Sequence, residues 1–423
     1  MAASDEHRRR EQAITWYEDG IAFTEIIHRL GRSREWLAKW LRRYRELGWD
    51  GLRDRSRAPH ARPRQLPEGV EQTILHWRQH LEQRTHRAWR FAGVGAEVIR
   101  EALHRYHVVP LPSISTIERV LRRHGYPHRT PRQPSRPTEP YPAPRATHPG
   151  DLHQNDLVGP RYLRGPRGVV RFYALATVAV VGGGAALSVV RHKTALALCQ
   201  HCVRAWRRLG IPRISQFDNE MAATGGHRHP YGLSLLMRLH LLLGSHLVFI
   251  PPREPGRNAY VESFNALWQA RVLREPCPDL PTLRTVTERF LRYYHTDKPH
   301  RRLRIESDGT RFPGAWLEAH RGTLRAVPLD FRLATYIDHR GRLRLPLARG
   351  RVSFIRRVAT TGEVEVLGRP YFIGKRLAGR YVVATIVTHR RTLIITHEHR
   401  TIKQYPFFIR EPIVAPLVPL PAR

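Results

Sequence analysis

The spacing of apolar residues changes character twice along the chain. Across residues 8–48 it is helical. Phe23, Ile26, Ile27 and Leu30 recur at three and four, and so do Trp36, Leu37, Trp40, Leu41 and Tyr44. That spacing gives each segment one apolar face. Arg34, Glu35, Lys39, Arg42 and Arg43 fall mainly on the other side of the later segment. Gly31-Arg32-Ser33 separates the two, with Ser33 placed as an N-cap. Three short helices with a tight turn before the last predict a helix-turn-helix unit over 1–60, whose final helix can enter a major groove. A plain helical hairpin is the alternative, and the basic outer face argues against it. Residues 66–126 repeat the theme more weakly. Helices are predicted over 68–84 and 95–106, then a short one over 116–125 capped by Ser115. Ile117, Val120 and Leu121 face inward there, and Arg119, Arg122 and Arg123 face outward.

Two connectors break this pattern. Residues 50–67 are rich in Arg and Pro. Residues 127–149 carry a proline at nearly every third position and almost no aliphatic side chains, which predicts a semi-rigid extended linker.

From 151 the apolar runs become strand-like. Strands are predicted over 151–163, 169–180 and 185–191, a helix over 194–209, and a fourth strand over 211–217. A helix over 232–243, a strand over 247–250 and helices over 258–273 and 283–294 follow. This is the element order of an RNase H-like α/β domain, set here at 150–320. Beyond 328 come seven short β-branched segments from 342–347 to 401–407, which predict a small β-barrel over 328–410. The fold class is therefore multidomain: N-terminal all-α helix-turn-helix units, a central RNase H-like α/β core and a C-terminal small β-barrel. The longest apolar run, 173–190, is interrupted by three glycines and reads as two buried strands and a turn, not a membrane span.

Charge narrows the function. Lys and Arg number 72 against 36 Asp and Glu, a net charge of +36. Such a surface repels itself until it meets a polyanion, so DNA or RNA is the expected partner. Three cysteines make no disulfide framework, and MAASDEHRRREQA has no apolar secretory run, so an intracellular, nucleoid-associated protein is expected. Cys199-Gln-His-Cys202 lies inside an amphipathic helix without a second pair, which favours core packing over zinc.

Against this background three acids stand out. Asp156 falls within the first strand, Asp218 at the end of the fourth, and Glu262 on a later helix. Brought together they form an oxygen-only site for Mg²⁺, or Mn²⁺, whose charge serves in-line displacement at a phosphate. Alone, each reads as a surface carboxylate.

Pro255-Gly-Arg-Asn-Ala-Tyr-Val-Glu-Ser-Phe-Asn265 resembles the last motif of the integrase-core (DDE-type) insertion-sequence transposases, relatives of the retroviral integrases. Phe217-Asp-Asn219 resembles their second-acid motif, and Tyr293-Tyr-His-Thr-Asp-Lys-Pro-His300 with Arg301-Arg-Leu303 their downstream segment. The resemblance implies that Asp156, Asp218 and Glu262 are the catalytic metal ligands. It also implies that the chain acts on double-stranded DNA, both element ends and target, as a homo-oligomer. Asn219 and Asn258 are supporting candidates, Asn258 also as an N-cap. Arg253 and Arg257 join Arg34, Lys39, Arg42, Arg43, Arg119, Arg122 and Arg123 as candidate DNA contacts. The chain departs from the family pattern in three places. His153-Gln-Asn155 replaces the usual tryptophan before the first acid, Glu220 replaces a glycine, and a longer spacer includes 222–230. A hydrolysis-only nuclease of the same fold and a catalytically silent DNA-binding protein are the alternatives.

Overall fold

A computed structural model describes residues 2–54, 66–84, 86–127, 140–166, 168–219, 221–225, 231–300, 303 and 311–420. Most of both connectors, Glu220, 226–230 of the spacer, and Arg301 and Arg302 lie outside the described residues. The chain divides into two compact units, 1–67 and 68–423.

The first unit holds α1 (Ala2–Glu18), α2 (Phe23–Leu30) and α3 (Arg34–Leu47). Gly31 closes α2 at φ 60°, a left-handed conformation that a side chain disfavours. Ser33 then caps α3, its Oγ accepting from the Trp36 N–H at 3.2 Å. Ala13, Ile14, Ile26, Leu37, Trp40, Leu41 and Leu52 form the core, so the apolar face read from the spacing is the buried one.

The second unit opens with α4 (Glu68–Gln83), α5 (Ala96–Arg105) and α6 (Ile114–Arg123). The predicted cap of α6 is corrected. Ser113, not Ser115, accepts from the Thr116 N–H at 3.1 Å, because Ser113 keeps an extended backbone while Ser115 is already in the first turn. Ile117, Val120 and Leu121 are buried. This helical group shares its unit with the core that follows: Phe91 packs edge-on against Phe290 at 5.8 Å, and Arg90 pairs with Glu275.

Next come β1 (Leu152–Gly165), β2 (Gly168–Ala179), β3 (Ala185–Val190), α7 (Ala195–Leu209), β4 (Ile214–Phe217), α8 (Met221–Thr224), α9 (Leu235–Leu242) and β5 (His246–Phe249). A 3-10 turn over Pro255–Asn258 leads into α10 (Ala259–Val272), then α11 (Leu280–Thr296) and α12 (Pro313–Ala319). The C-terminal strands are β6 (Leu347–Ala348), β7 (Arg351–Arg357), β8 (Glu363–Val366), β9 (Arg369–Phe372), β10 (Tyr381–Val387), β11 (Thr392–His397), β12 (Arg400–Pro406) and β13 (Ile413–Val414).

Nine of these strands form one sheet in the order β12-β11-β10-β7-β5-β4-β1-β2-β3. The β-rich C-terminal segment is thus present, but it is joined to the core where the sequence suggested a separate module. A bare β5 would expose a parallel edge. Instead β7 pairs with it, setting Leu247 against Val352 and Phe249 against Phe354, whose rings stack at 5.0 Å. One apolar cluster then runs from Phe217 and Phe249 through Phe354 to Ile386 and Ile395. The strand predicted over 342–347 is reduced to Leu347–Ala348, paired with β13. Asp338 accepts from the Arg340 and Arg342 N–H groups and turns the chain there.

Candidate active site

The parallel register of β1 and β4 sets Leu152 against Ile214 and Gln154 against Gln216. Two residues further along the chain from each glutamine come the acids: Asp156 within β1, on the same face as Gln154 because side chains alternate along a strand, and Asp218 immediately past the end of β4. The glutamines anchor the helix that carries the third acid. Gln154 Oε1 accepts from the Tyr260 and Val261 N–H groups at 3.0 and 3.4 Å, satisfying donors left open at the start of α10. Gln216 Nε2 donates to the Arg257 carbonyl at 2.9 Å and to Asn258 Oδ1 at 2.7 Å. Each acid-bearing strand therefore grips α10 two residues before its own acid, and Glu262 lies in the first turns of that helix. Gln216→Ala removes both of its bonds inside a buried site. We expect a loss of about 1–3 kcal/mol in chemical denaturation.

All three carboxylates are half-buried. Burial pushes Glu262 above the usual carboxylate range, and the charges of Asp156 and Asp218 push it further. The three acids are thus within electrostatic reach of one another. Among the described residues, no three His, Cys, Asp or Glu side chains converge closely enough to hold a metal as they stand. In kind, the donors are hard oxygens that repel each other, and a hard divalent cation matches that set.

Asn265 was not singled out from the sequence. It is buried, and its Nδ2 donates to Asp156 Oδ2 at 2.7 Å. Its spacing of three from Glu262, which puts both on one helix face, was the available signal. Gln154 and Gln216 were missed too, because only the register reveals their partner.

The supporting asparagines behave differently from expectation. Asn258 precedes α10 but makes no side-chain cap. It is only 2% exposed, accepts from Gln216 and donates to the Asn155 carbonyl at 3.3 Å. Gln154 does the capping instead. Asn219 reaches Asp218 Oδ1 through its backbone N–H at 2.6 Å. Its side chain donates to the Ile250 carbonyl and accepts from Arg356 Nη2 at 2.7 Å.

Arg34, Lys39 and Arg42 are exposed on α3. Arg43 is half-buried, donating to the Arg53 carbonyl at 2.7 Å and lying 4.6 Å from the Trp40 ring. Arg119 and Arg122 are exposed on α6, and Arg123 pairs with Glu71. Arg253 is exposed at φ 63°. Arg257 is committed internally: it donates to Glu254 at 3.0 Å and to the Tyr381 hydroxyl at 3.3 Å, and covers the Tyr141 ring at 4.0 Å. Cys199 and Cys202 are fully buried in the core, and burial pushes the Cys199 thiol up to about 12.

Three families match parts of the chain: a helix-turn-helix domain over 9–60, a homeodomain-like domain over 36–121 and an integrase core domain over 243–305. The last span includes Glu262 but not Asp156 or Asp218. Among solved structures, the HTLV-2 integrase catalytic core domain in complex with magnesium is 16% identical, covering 40% of this chain and 96% of its own, with a TM-score of 0.30. The catalytic core domain of BIV integrase is likewise 16% identical, covering 41% of this chain and 98% of its own, with a TM-score of 0.30. A simian T-cell lymphotropic virus intasome, bound to a PP2A regulatory subunit, is 11% identical over 73% of this chain and 96% of that chain, at a TM-score of 0.32. No helix among the described residues is long and apolar enough to cross a membrane. By its domain matches, the chain carries an integrase core domain over 243–305 behind helix-turn-helix and homeodomain-like domains within 9–121.

Proposed function

We propose that the protein is a DNA transposase. Its helix-turn-helix units bind the ends of a DNA element, and its core cuts those ends and joins them to target DNA. One observation supports this most: Asp156 in β1 and Asp218, just past the end of the neighbouring β4, both raise the proton affinity of Glu262 on the helix those strands anchor. A site that concentrates negative charge inside a chain of net charge +36 is suited to a cation and a phosphodiester together.

Asp156, Asp218 and Glu262 are the residues that would hold Mg²⁺ or Mn²⁺. When bound, the cation supplies charge neutralisation at the scissile phosphate and lowers the pKa of the attacking oxygen. The remaining work falls to side chains. Asn265 fixes the orientation of the Asp156 carboxylate. Gln154 and Gln216 keep α10 in register with the strand ends. Arg34, Lys39, Arg42, Arg119 and Arg122 give phosphate contacts that set the position of the duplex. Joining two ends requires two protomers, so the working form is a homo-oligomer on double-stranded DNA.

The test is an assay with labelled element ends, a target plasmid and Mg²⁺ or Mn²⁺. Joined products are expected. Cleavage without joining would leave a hydrolysis-only nuclease, and binding without either reaction would leave a DNA-binding protein. Binding itself has a quantitative signature. The logarithm of affinity is expected to fall linearly with the logarithm of salt concentration, and Arg42→Gln is expected to reduce that slope by about 1. A slope unchanged in this variant, measured by fluorescence anisotropy, would remove Arg42 from the interface.

A further inference from the structure

Arg356 is a guanidinium with 9% exposure, on a strand the sequence assigned to a different module from the three acids. Its hydrogen bonds among the described residues all go to uncharged groups. Nε donates to the Glu365 carbonyl at 2.9 Å. Nη1 donates to the carbonyls of Ile250 and Ile355 at 3.3 and 2.9 Å, and Nη2 to Asn219 Oδ1 at 2.7 Å. Burying a cation this way is unfavourable unless the site has use for it.

The arrangement shows that use. Asn219 donates to the same Ile250 carbonyl that Arg356 engages, and its backbone N–H holds Asp218. Arg356, Asn219 and Ile250 thus close a triangle across the ends of β7, β4 and β5. The Asp218 turn is pinned from β7, and a positive charge is brought near that carboxylate. Burial pushes the guanidinium pKa down to about 10, while Glu365 and Asp218 hold it up, so it stays charged at neutral pH.

We propose that Arg356 is a positioning residue for the strand-cleavage site: acting through Asn219, it fixes the Asp218 carboxylate, so that the catalytic core is complete only with the C-terminal strand β7. This rests on the three-acid reading given above. Lysine keeps the charge but cannot make the forked set of bonds, so Arg356→Lys separates geometry from charge.

The experiment compares full-length wild type, R356K, R356Q, N219A and R356K/N219A. Mn²⁺ binding is measured by calorimetry without DNA, cleavage of labelled ends by kinetics, and folding by thermal melting. For R356K and N219A, Mn²⁺ affinity and kcat are each expected to fall about 10-fold to 100-fold, the range found when the partners of metal ligands are removed. KM for DNA is expected to hold. The double variant is expected to be no worse than either single one, because both break one linkage. R356K with wild-type Mn²⁺ affinity and kcat overturns the proposal, as do single effects that simply add in the double variant. If R356Q fails to fold, R356K decides. Wild-type protein that binds no Mn²⁺ overturns the three-acid reading, and this proposal falls with it. Wild type that binds Mn²⁺, beside an R356K that binds it equally well, overturns this proposal alone.

Discussion

Glu262→Gln is expected to abolish strand cleavage and joining while leaving both DNA binding and the fold intact. Gln has the shape of Glu but no charge, so the change removes one ligand's charge and little else. A loss of about three orders of magnitude in turnover, roughly 4 kcal/mol in the barrier, is expected. Asp218→Asn is expected to do the same. Stability should move the other way. Burial and two like charges hold the Glu262 carboxyl above its ordinary range. A raised carboxyl means that the folded state prefers the protonated form, so at neutral pH the ionised group works against folding. Removing its charge relieves that strain. The metal-free variant is therefore expected to melt at or slightly above the wild-type temperature, the pattern of a site that trades stability for activity. Differential scanning calorimetry and the end-joining assay on the same preparations check both halves. Retained turnover in E262Q, or a marked fall in melting temperature, would contradict the assignment of Glu262 to a repelling carboxylate cluster.

The sequence showed which segments carry the acids, because strand alternation and helical spacing are local properties. It showed the turn at Gly31-Arg32-Ser33 for the same reason. It could not show which strand borders which. The pairing of β5 with β7 depends on Phe249 meeting Phe354, more than a hundred residues away, and no local pattern encodes that. That one pairing turns a predicted separate barrel into an extension of the core sheet, and it brings Arg356 to the acid site. The same limit explains Gln154 and Gln216. Read alone they are polar residues in apolar strands. Only the β1–β4 register, with α10 above it, reveals that they hold the helix bearing Glu262. Asn258 misled for a complementary reason. Its position before α10 is right for a cap, but burial turned its side chain toward the strands.

The unit spanning 68–423 is expected to unfold cooperatively on mild acidification, with a midpoint near about pH 5. Five histidines in it are held below the usual imidazole range: His153, His201, His240 and His295 are buried, and His246 is half-buried. Burial lowers His153 and His201 to about 3, and His240, His246 and His295 to about 4. A hydrogen bond favours the neutral ring in His295, whereas the one His240 makes favours its protonated form and only its burial opposes that. His240 Nδ1 donates to the Leu236 carbonyl at 2.8 Å, and His295 Nε2 accepts from the Ala185 N–H at 3.1 Å. His153 has no hydrogen-bond partner at either nitrogen among the described residues. A histidine with a depressed folded pKa leaves the unfolded chain binding more protons between the two pKa values. Its stabilising contribution is complete above the unfolded value of about 6.5 and is lost as pH falls toward the folded value. Each such group removes about 1.4 kcal/mol per pH unit in that window. Acting together, they exhaust a typical stability of about 5–15 kcal/mol within roughly two units. The unit spanning 1–67 contains none of the five, so its helices should outlast the core in acid. Circular dichroism would then show loss of the sheet signal before the helical remainder. His153→Leu keeps an apolar side chain in the same buried place and removes one titrating group. It is expected to lower the steepness of the acid transition by about one proton and to move its midpoint downward. A wild-type core that stays folded at pH 4, or a transition that takes up no more than one proton, would mean that these histidines do not govern its acid stability.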